Sequence, residues 1–252
     1  MSSNFNKILV FVPGDGVAPS VYAGLLSSFR GIMGDENVSL WSHEGLSTHE
    51  EMMDGLLEYL RRLTDKFSKK DIVFVSHSRG AYLSLRCLSV IEDLPIVNRI
   101  KGMVLMNPLL PKDWAVPVPS LDVILSVVAQ SFRSTYTMPE KVFRKRFFNE
   151  STLSDNQVTA IVDQSTSIPK ALLALPAPLL LSASTSCPML VIGTESDKVF
   201  SDTYIQKGLT AMRALWPDQA IESQTFSGTH FGCLETPDTF AQSVEGFLKT
   251  LK

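Results

Sequence analysis

A serine, a histidine and two carboxylates, far apart along the chain, are the residues whose settings point to chemistry. Ser78 stands in DIVFVSHSRGAY, residues 71–82, where an apolar run passes through Ser76, His77, Ser78, Arg79 and Gly80 into a helix-like stretch. A sharp strand-to-helix turn of this form lifts the central hydroxyl above the sheet edge. It also aims the helix dipole and free amides at developing negative charge. Small residues two before and two after the serine relieve crowding at such a turn. Here they are Ser76 and Gly80, so the motif is S-x-S-x-G in place of G-x-S-x-G. The competing structural explanation is an ordinary strand, a serine N-cap and a helix.

A serine hydroxyl is a weak nucleophile at neutral pH and needs a base. Of four histidines, His43 and His49 lie in the early segment SHEGLSTHE, and His77 adjoins Ser78, where the turn would aim it elsewhere. His230, in FSGTHFGCLETP, follows the strand-like run Ile221 to Phe226 and comes after Ser78, as a base in this arrangement should. An acid that fixes the imidazole tautomer belongs between them, beyond the run Met189 to Ile192. The loop GTESDKVF offers Glu195 and Asp197 there. Asp197 is the first choice, because Lys198 and Val199 follow it in the common acid-loop pattern and a helix comes next; Glu195 is the alternative acid. Stabilising charge on a carbonyl oxygen takes preorganised N–H donors. The amide of Arg79 is one candidate, and the loop VPGDG supplies the other, Asp15 first and Gly16 second. No GxGxxG or Walker pattern follows that loop, which argues against a nucleotide site.

These residues need a scaffold, and the hydrophobic pattern supplies one. Short apolar runs at Ile8–Val12, Val38–Trp41, Ile72–Val75, Met103–Met106 and Met189–Ile192 read as buried strands. Segments with helical periodicity alternate with them: 21–33, 50–67, 81–91, 202–215 and 239–251. Such alternation predicts a mostly parallel sheet with helices on both faces. It breaks over residues 111–186, where no strand is evident and Met138, Val142, Phe143 and Phe147, then 153–162 and 171–181, give three candidate helices. This segment is expected to be an inserted helical lid on a single domain spanning 1–252. Its apolar faces would serve equally well simply by packing on the sheet.

Composition narrows the partners. With 252 residues, 44% hydrophobic and 19% charged, the chain reads as a globular body with a large core. A net charge of -3 gives no sign excess that would favour nucleic acid or an anionic membrane. The basic cluster Lys141, Arg144, Lys145 and Arg146 reads first as the solvated face of an amphipathic helix. No run reaches the ~20 apolar residues of a membrane span, and no secretion signal is evident. Three cysteines without CxxC spacing support neither a zinc site nor a disulfide framework, and suit a reducing cytoplasm. No metal or other cofactor is expected.

Taken in order, VPGDG, SHSRGAY, GTESDKVF and GTHFGCLETPDTFAQSVEGFL resemble the α/β-hydrolase superfamily over essentially the whole chain. The segment FFNESTLSD further resembles the cap of small esterases in the methylesterase and hydroxynitrile lyase branch. Two departures stand out: the usual histidine before the first oxyanion glycine is Pro13, and the DxxGxGxS loop appears as SHEGLST. The resemblance implies a carboxylesterase-like serine enzyme cleaving an ester or thioester with an apolar acyl part. Alternatives on the same residues are a thioesterase for carrier-bound acyl chains docked on the basic helix, a lyase, or a non-catalytic small-molecule binding protein.

Overall fold

The computed structural model describes residues 6–91, 95–117, 119–173, 178–179 and 187–251. In chain order the elements are β1 (Lys7–Val12), α1 (Ala23–Met33), β2 (Val38–Leu40), α2 (His49–Lys66), β3 (Asp71–His77), α3 (Arg79–Val90) and β4 (Ile100–Met106). After them come α4 (Leu121–Ala129), β5 (Thr135–Tyr136), α5 (Glu140–Phe147), α6 (Asp155–Val162) and β6 (Ile168–Pro169). The chain closes with β7 (Met189–Thr194), α7 (Asp202–Leu215), β8 (Ile221–Phe226), α8 (Gly232–Glu235) and α9 (Pro237–Thr250).

Six strands form a sheet in the order β2-β1-β3-β4-β7-β8, and every pairing in it is parallel. Successive side chains of a strand point to opposite faces, and the core divides accordingly. Ile8, Val10, Phe74, Leu105 and Val191 pack with Leu56 of α2, Leu85 of α3 and Leu209 of α7. On the other face Leu9, Phe11, Val75, Val104 and Ile192 pack with Phe29 of α1 and Phe240 of α9. Strands buried on both faces need no polar alternation, which is why they are legible as continuous apolar runs.

Two local features of this frame hold residues near Ser78 in place. A capping box opens α2: Thr48 Oγ1 accepts from the Glu51 amide at 3.1 Å and the Glu51 carboxylate accepts from the Thr48 amide at 3.1 Å. It fixes the first helical residue, His49. Between β3 and β4, the Ser78 amide donates to the Met106 carbonyl and the Leu109 amide to the Ser78 carbonyl. The turn after β3 is therefore tied into the neighbouring strand end.

The segment between β4 and β7 differs from the expectation in three ways. It contains strand: β5 and β6 form a two-residue antiparallel ladder, too short to leave a periodic signature in sequence. Tyr136 anchors it, buried with its hydroxyl 2.7 Å from Ser126 Oγ. An additional helix, α4, leaves Leu121, Ile124, Leu125 and Val128 exposed, so its apolar residues are not all turned onto the sheet. Where the helix anticipated over 171–181 is described it is absent: Lys170–Leu173 form a 3-10 turn and residues 178–179 carry no helix, while 174–177 and 180–186 lie outside the described residues. The other two anticipated helices are α5 and α6. Phe143, Phe148, Val158 and Ile161 of this region join the core on the α1 and α9 side.

Candidate active site

Ser78 occupies the turn between β3 and α3 with φ 53° and ψ −120°. Residues with a Cβ rarely adopt positive φ, because the Cβ crowds the backbone, and such outliers cluster where a residue is held for a purpose. The surroundings enforce the turn. A Cβ on Gly80 would run into the carbonyl groups of Val12 and Pro13, so α3 rests directly on the end of β1 and only glycine fits. The position two before the serine tolerates Ser76 because its buried hydroxyl lies 2.7 Å from Ser84 Oγ on α3. The hydroxyl that departs from the usual glycine is thereby paired.

His230 and Asp197 are both buried and joined, with Nδ1 2.9 Å from Asp197 Oδ2. Asp197 follows β7 in a loop that wraps its carboxylate: Oδ1 accepts from the amides of Val199 at 2.6 Å and Phe200 at 3.0 Å. Oδ2 accepts a second bond, 2.8 Å from Asn107 Nδ2. Burial by itself would push the Asp197 carboxyl up, but the charge and hydrogen bond of His230 and the two amides hold it below the usual carboxylate range. With Asp197 accepting from Nδ1, the imidazole keeps Nε2 for other chemistry. Phe147, Phe200 and Phe231 surround the ring at centroid distances of 5.3–5.5 Å. Ser78 Oγ makes no hydrogen bond with His230 among the described residues. Glu195 is exposed and its carboxylate has no hydrogen bond or ion pair among them.

Three residues around this pair were not nominated from sequence. Asn107, at the end of β4 with φ 42°, donates to both Asp197 and Thr194 Oγ1, the latter at 2.6 Å. Thr194 in turn donates to the Thr229 carbonyl at 2.7 Å, next to His230. His77 points away from the Ser78 hydroxyl side, as anticipated, into a buried link. Its Nε2 donates to the His230 carbonyl at 2.9 Å and its Nδ1 accepts from the Tyr22 hydroxyl at 2.8 Å. Burial, reinforced by the charge of His230, lowers the His77 pKa to about 3, so this ring is neutral. The strand-end Asn-Pro after β4 was the only sequence signal available for Asn107.

On the other side of Ser78 lies the loop after β1. Gly14 passes so close that a Cβ there would stand 2.8 Å from the Cβ of Ser78. The amides of Asp15, Gly16 and Arg79 have no protein acceptor among the described residues. Asp15 and Arg79 were nominated for those amides, yet their side chains are joined in an ion pair, each about nine-tenths buried. The guanidinium also donates to the Leu172 carbonyl and, at 2.8 Å, to His49 Nε2, while His43 Nε2 lies 3.1 Å from Asp15 Oδ1. A cleft of about 130 Å³ opens beside this cluster, lined by Asp15, His43, Leu46, Met52, Ile168 and Leu172 among others.

No grouping of three or more His, Cys, Asp or Glu side chains suited to a metal ion occurs among the described residues. No helix among them is long and apolar enough to cross a membrane. Cys87, Cys187 and Cys233 are buried and unbridged, and burial pushes the thiols of Cys87 and Cys187 up to about 12.

A parallel sheet carrying a positive-φ serine between its third strand and the following helix defines a class of α/β proteins built around a nucleophile elbow. The chain belongs to the alpha/beta hydrolase family, whose model matches residues 9–243. Comparison with curated protein sequences gave no match. Among solved structures, the chain is similar to an extracellular alpha/beta-hydrolase from a Paenibacillus species, described as sharing structural and functional homology with tobacco salicylic acid binding protein 2. The identity is 19% and the TM-score 0.67, over 94% of this chain and 97% of that one. Carboxylesterase CesB from Bacillus subtilis aligns at 13% identity and TM-score 0.66, over 98% of this chain and 85% of that one. Polyneuridine aldehyde esterase aligns at 13% and 0.68, over 96% and 98% respectively. At these identities the likeness is one of fold.

Proposed function

We propose that the protein is a serine hydrolase that cleaves a small carboxylic ester or thioester through an acyl-enzyme on Ser78. The observation that carries this reading is the serine held at φ 53° on an elbow while His230, bonded to the buried carboxylate of Asp197, lies in the loop after the last strand of the sheet. Ser78 Oγ attacks the carbonyl carbon as His230 Nε2 takes its proton. The tetrahedral oxyanion is held by the amides of Arg79 and Asp15. Collapse expels the alcohol or thiol, which receives the proton from His230. Water, deprotonated by the same nitrogen, then releases the acid and regenerates Ser78. Asp197 is the acid that orients the ring, a reading supported by its 2.9 Å contact with Nδ1 and by the exposure of Glu195.

The free Ser78 hydroxyl fits this scheme, since nucleophile–base hydrogen bonds are often loose without substrate and tighten in the complex. Aromatic walls around His230 favour an apolar group near the reacting carbon, and the segment 111–186 acts as the lid that supplies Phe147. Carrier-bound acyl substrates are disfavoured by the pairing of the basic helix: Arg144 binds Glu140 at 2.7 Å and Lys145 binds Asp122 at 2.5 Å, which leaves fewer free cations for docking. The buried free thiols suit a reducing compartment such as the cytoplasm.

The test is hydrolysis of a chain-length series of p-nitrophenyl esters by wild type and Ser78→Ala, with a fluorophosphonate label mapped by mass spectrometry. Burst release and a Ser78 adduct, both lost in the variant, are expected. Turnover that survives Ser78→Ala, or a wild type that binds esters without turnover or adduct, would sink the acyl-enzyme and leave lyase or binding-protein chemistry.

A further inference from the structure

The ion pair between Arg79 and Asp15 takes no part in the bond-making steps at Ser78, and we propose that these two side chains are positioning residues that set the spacing of their own backbone amides around the oxyanion. This rests on the Ser78 hydrolase reading. The loop after β1 reaches Ser78 at Gly14, where close approach forbids a side chain. Glycine lets the backbone come near but gives it nothing to hold on to, and backbone freedom is greatest there. The next residue, Asp15, supplies the hold: its carboxylate grips the guanidinium of Arg79, 64 positions away in sequence. Each side chain shares a Cα with the amide in question, so fixing the pair fixes the amides.

The guanidinium is anchored further than one carboxylate requires. It donates to the Leu172 carbonyl and to His49, the first residue of α2, and Asp15 meets His43 on its other oxygen. Three segments distant in sequence therefore converge on one planar, five-donor group, a geometry that lysine could not reproduce. Burial by itself would raise the Asp15 carboxyl, but the charge of Arg79 and the close approach of His43 hold it below its usual range, so it stays ionised. Burial and the neighbouring Arg79 lower the His49 pKa, keeping it neutral and able to accept. Buried ion pairs contribute little net stability against an apolar replacement, so their retention is better explained by the geometry they enforce. An oxyanion hole demands such geometry, because its donors act only within a few tenths of an ångström of the right place.

Asp15→Asn, Arg79→Gln and the double variant are compared with wild type by kcat and KM on the best p-nitrophenyl ester, by the rate of Ser78 labelling with the fluorophosphonate, and by melting temperature. Losing one well-placed donor is worth on the order of 10²–10³ in kcat, so displacing it should lower kcat about 10–100-fold. KM should stay within about threefold, and the labelling rate should fall in parallel with kcat. The double variant should be no worse than the worse single, because a clamp broken once is already open. A single variant that leaves one charge buried can fail to fold, and the double variant, which buries none, then decides. Unchanged kcat in a folded variant overturns the inference, as does a loss confined to KM, which would make the cluster a substrate contact. A wild type with no Ser78 adduct fails the hydrolase reading itself, and this inference falls with it.

Discussion

The two flanks of Ser78 are built on different principles. On the His230 side, Asp197, Asn107, Thr194 and His77 form a hydrogen-bonded lattice around a ring that, in the proposed reaction, gains and loses a proton. On the Asp15 side, the ion pair of Arg79 and Asp15 is flanked by His49 on the guanidinium and His43 on the carboxylate. The first flank is built to hold one ring orientation through hydrogen bonds to both ends of its carboxylate partner. The second is held in position by contacts from segments far apart in sequence. Division of this kind fits the proposed reaction, in which base and oxyanion stabiliser have opposite requirements.

The comparison can be broken hardest at its centre. Ser78→Ala and His230→Gln should each lower kcat/KM by about 10⁴-fold or more on the best ester, leaving only what binding and the amides contribute. Equal activity in either variant would mean that the two flanks do not meet at this serine. Next in size, Asp197→Asn should lower kcat by about 10³–10⁴-fold, because a carboxamide no longer enforces the tautomer, while Glu195→Gln should stay within about twofold of wild type. The reverse ranking would move the acid to Glu195 and dissolve the lattice around Asp197.

Gly80→Ala strikes the point where both flanks lean on β1. Its added methyl meets the backbone of Val12 and Pro13, and an overpacked contact of this kind should destabilise by about 3 kcal/mol, read as a lowered urea midpoint with an unchanged slope.

The smallest effect sharpens the distinction between proton-moving and static parts. His77 titrates near 6.5 when unfolded but at about 3 when buried in the fold. The unfolded chain then binds the extra proton, so stability should be full above pH ~6.5 and fall steadily as pH drops towards 3. In His77→Gln, whose amide can still donate to the His230 carbonyl and accept from Tyr22, the melting temperature should fall less steeply over that window. A wild-type melting temperature flat from pH 7 to pH 4 would show that His77 is not buried neutral.

Much of the molecule could be read before folding was considered. Five apolar runs marked five strands of the sheet, because residues buried on both faces carry their signal in consecutive positions, and the edge strand β8, largely exposed, was marked only by the strand-like run Ile221 to Phe226. The elbow was visible because strand, small residue, serine, glycine and helix all fall within ten positions of one another. Shorter or less regular features escaped: β5 and β6 are two residues each, and α4 sits among prolines with apolar residues around much of its circumference.

The sequence by itself determined the sheet, the elbow at Ser78 and the order serine, acid, histidine. Only the tertiary structure decided that Asp197 turns inward while Glu195 faces solvent, that Asn107 completes the carboxylate's shell from 90 positions away, that Tyr22 reaches His77 across 55, and that Arg79 closes on Asp15. The physical reason is one of range. Periodicity and turn chemistry record what a residue does with its near neighbours, whereas a buried polar group must find a partner wherever packing brings one, and packing is a property of the whole fold.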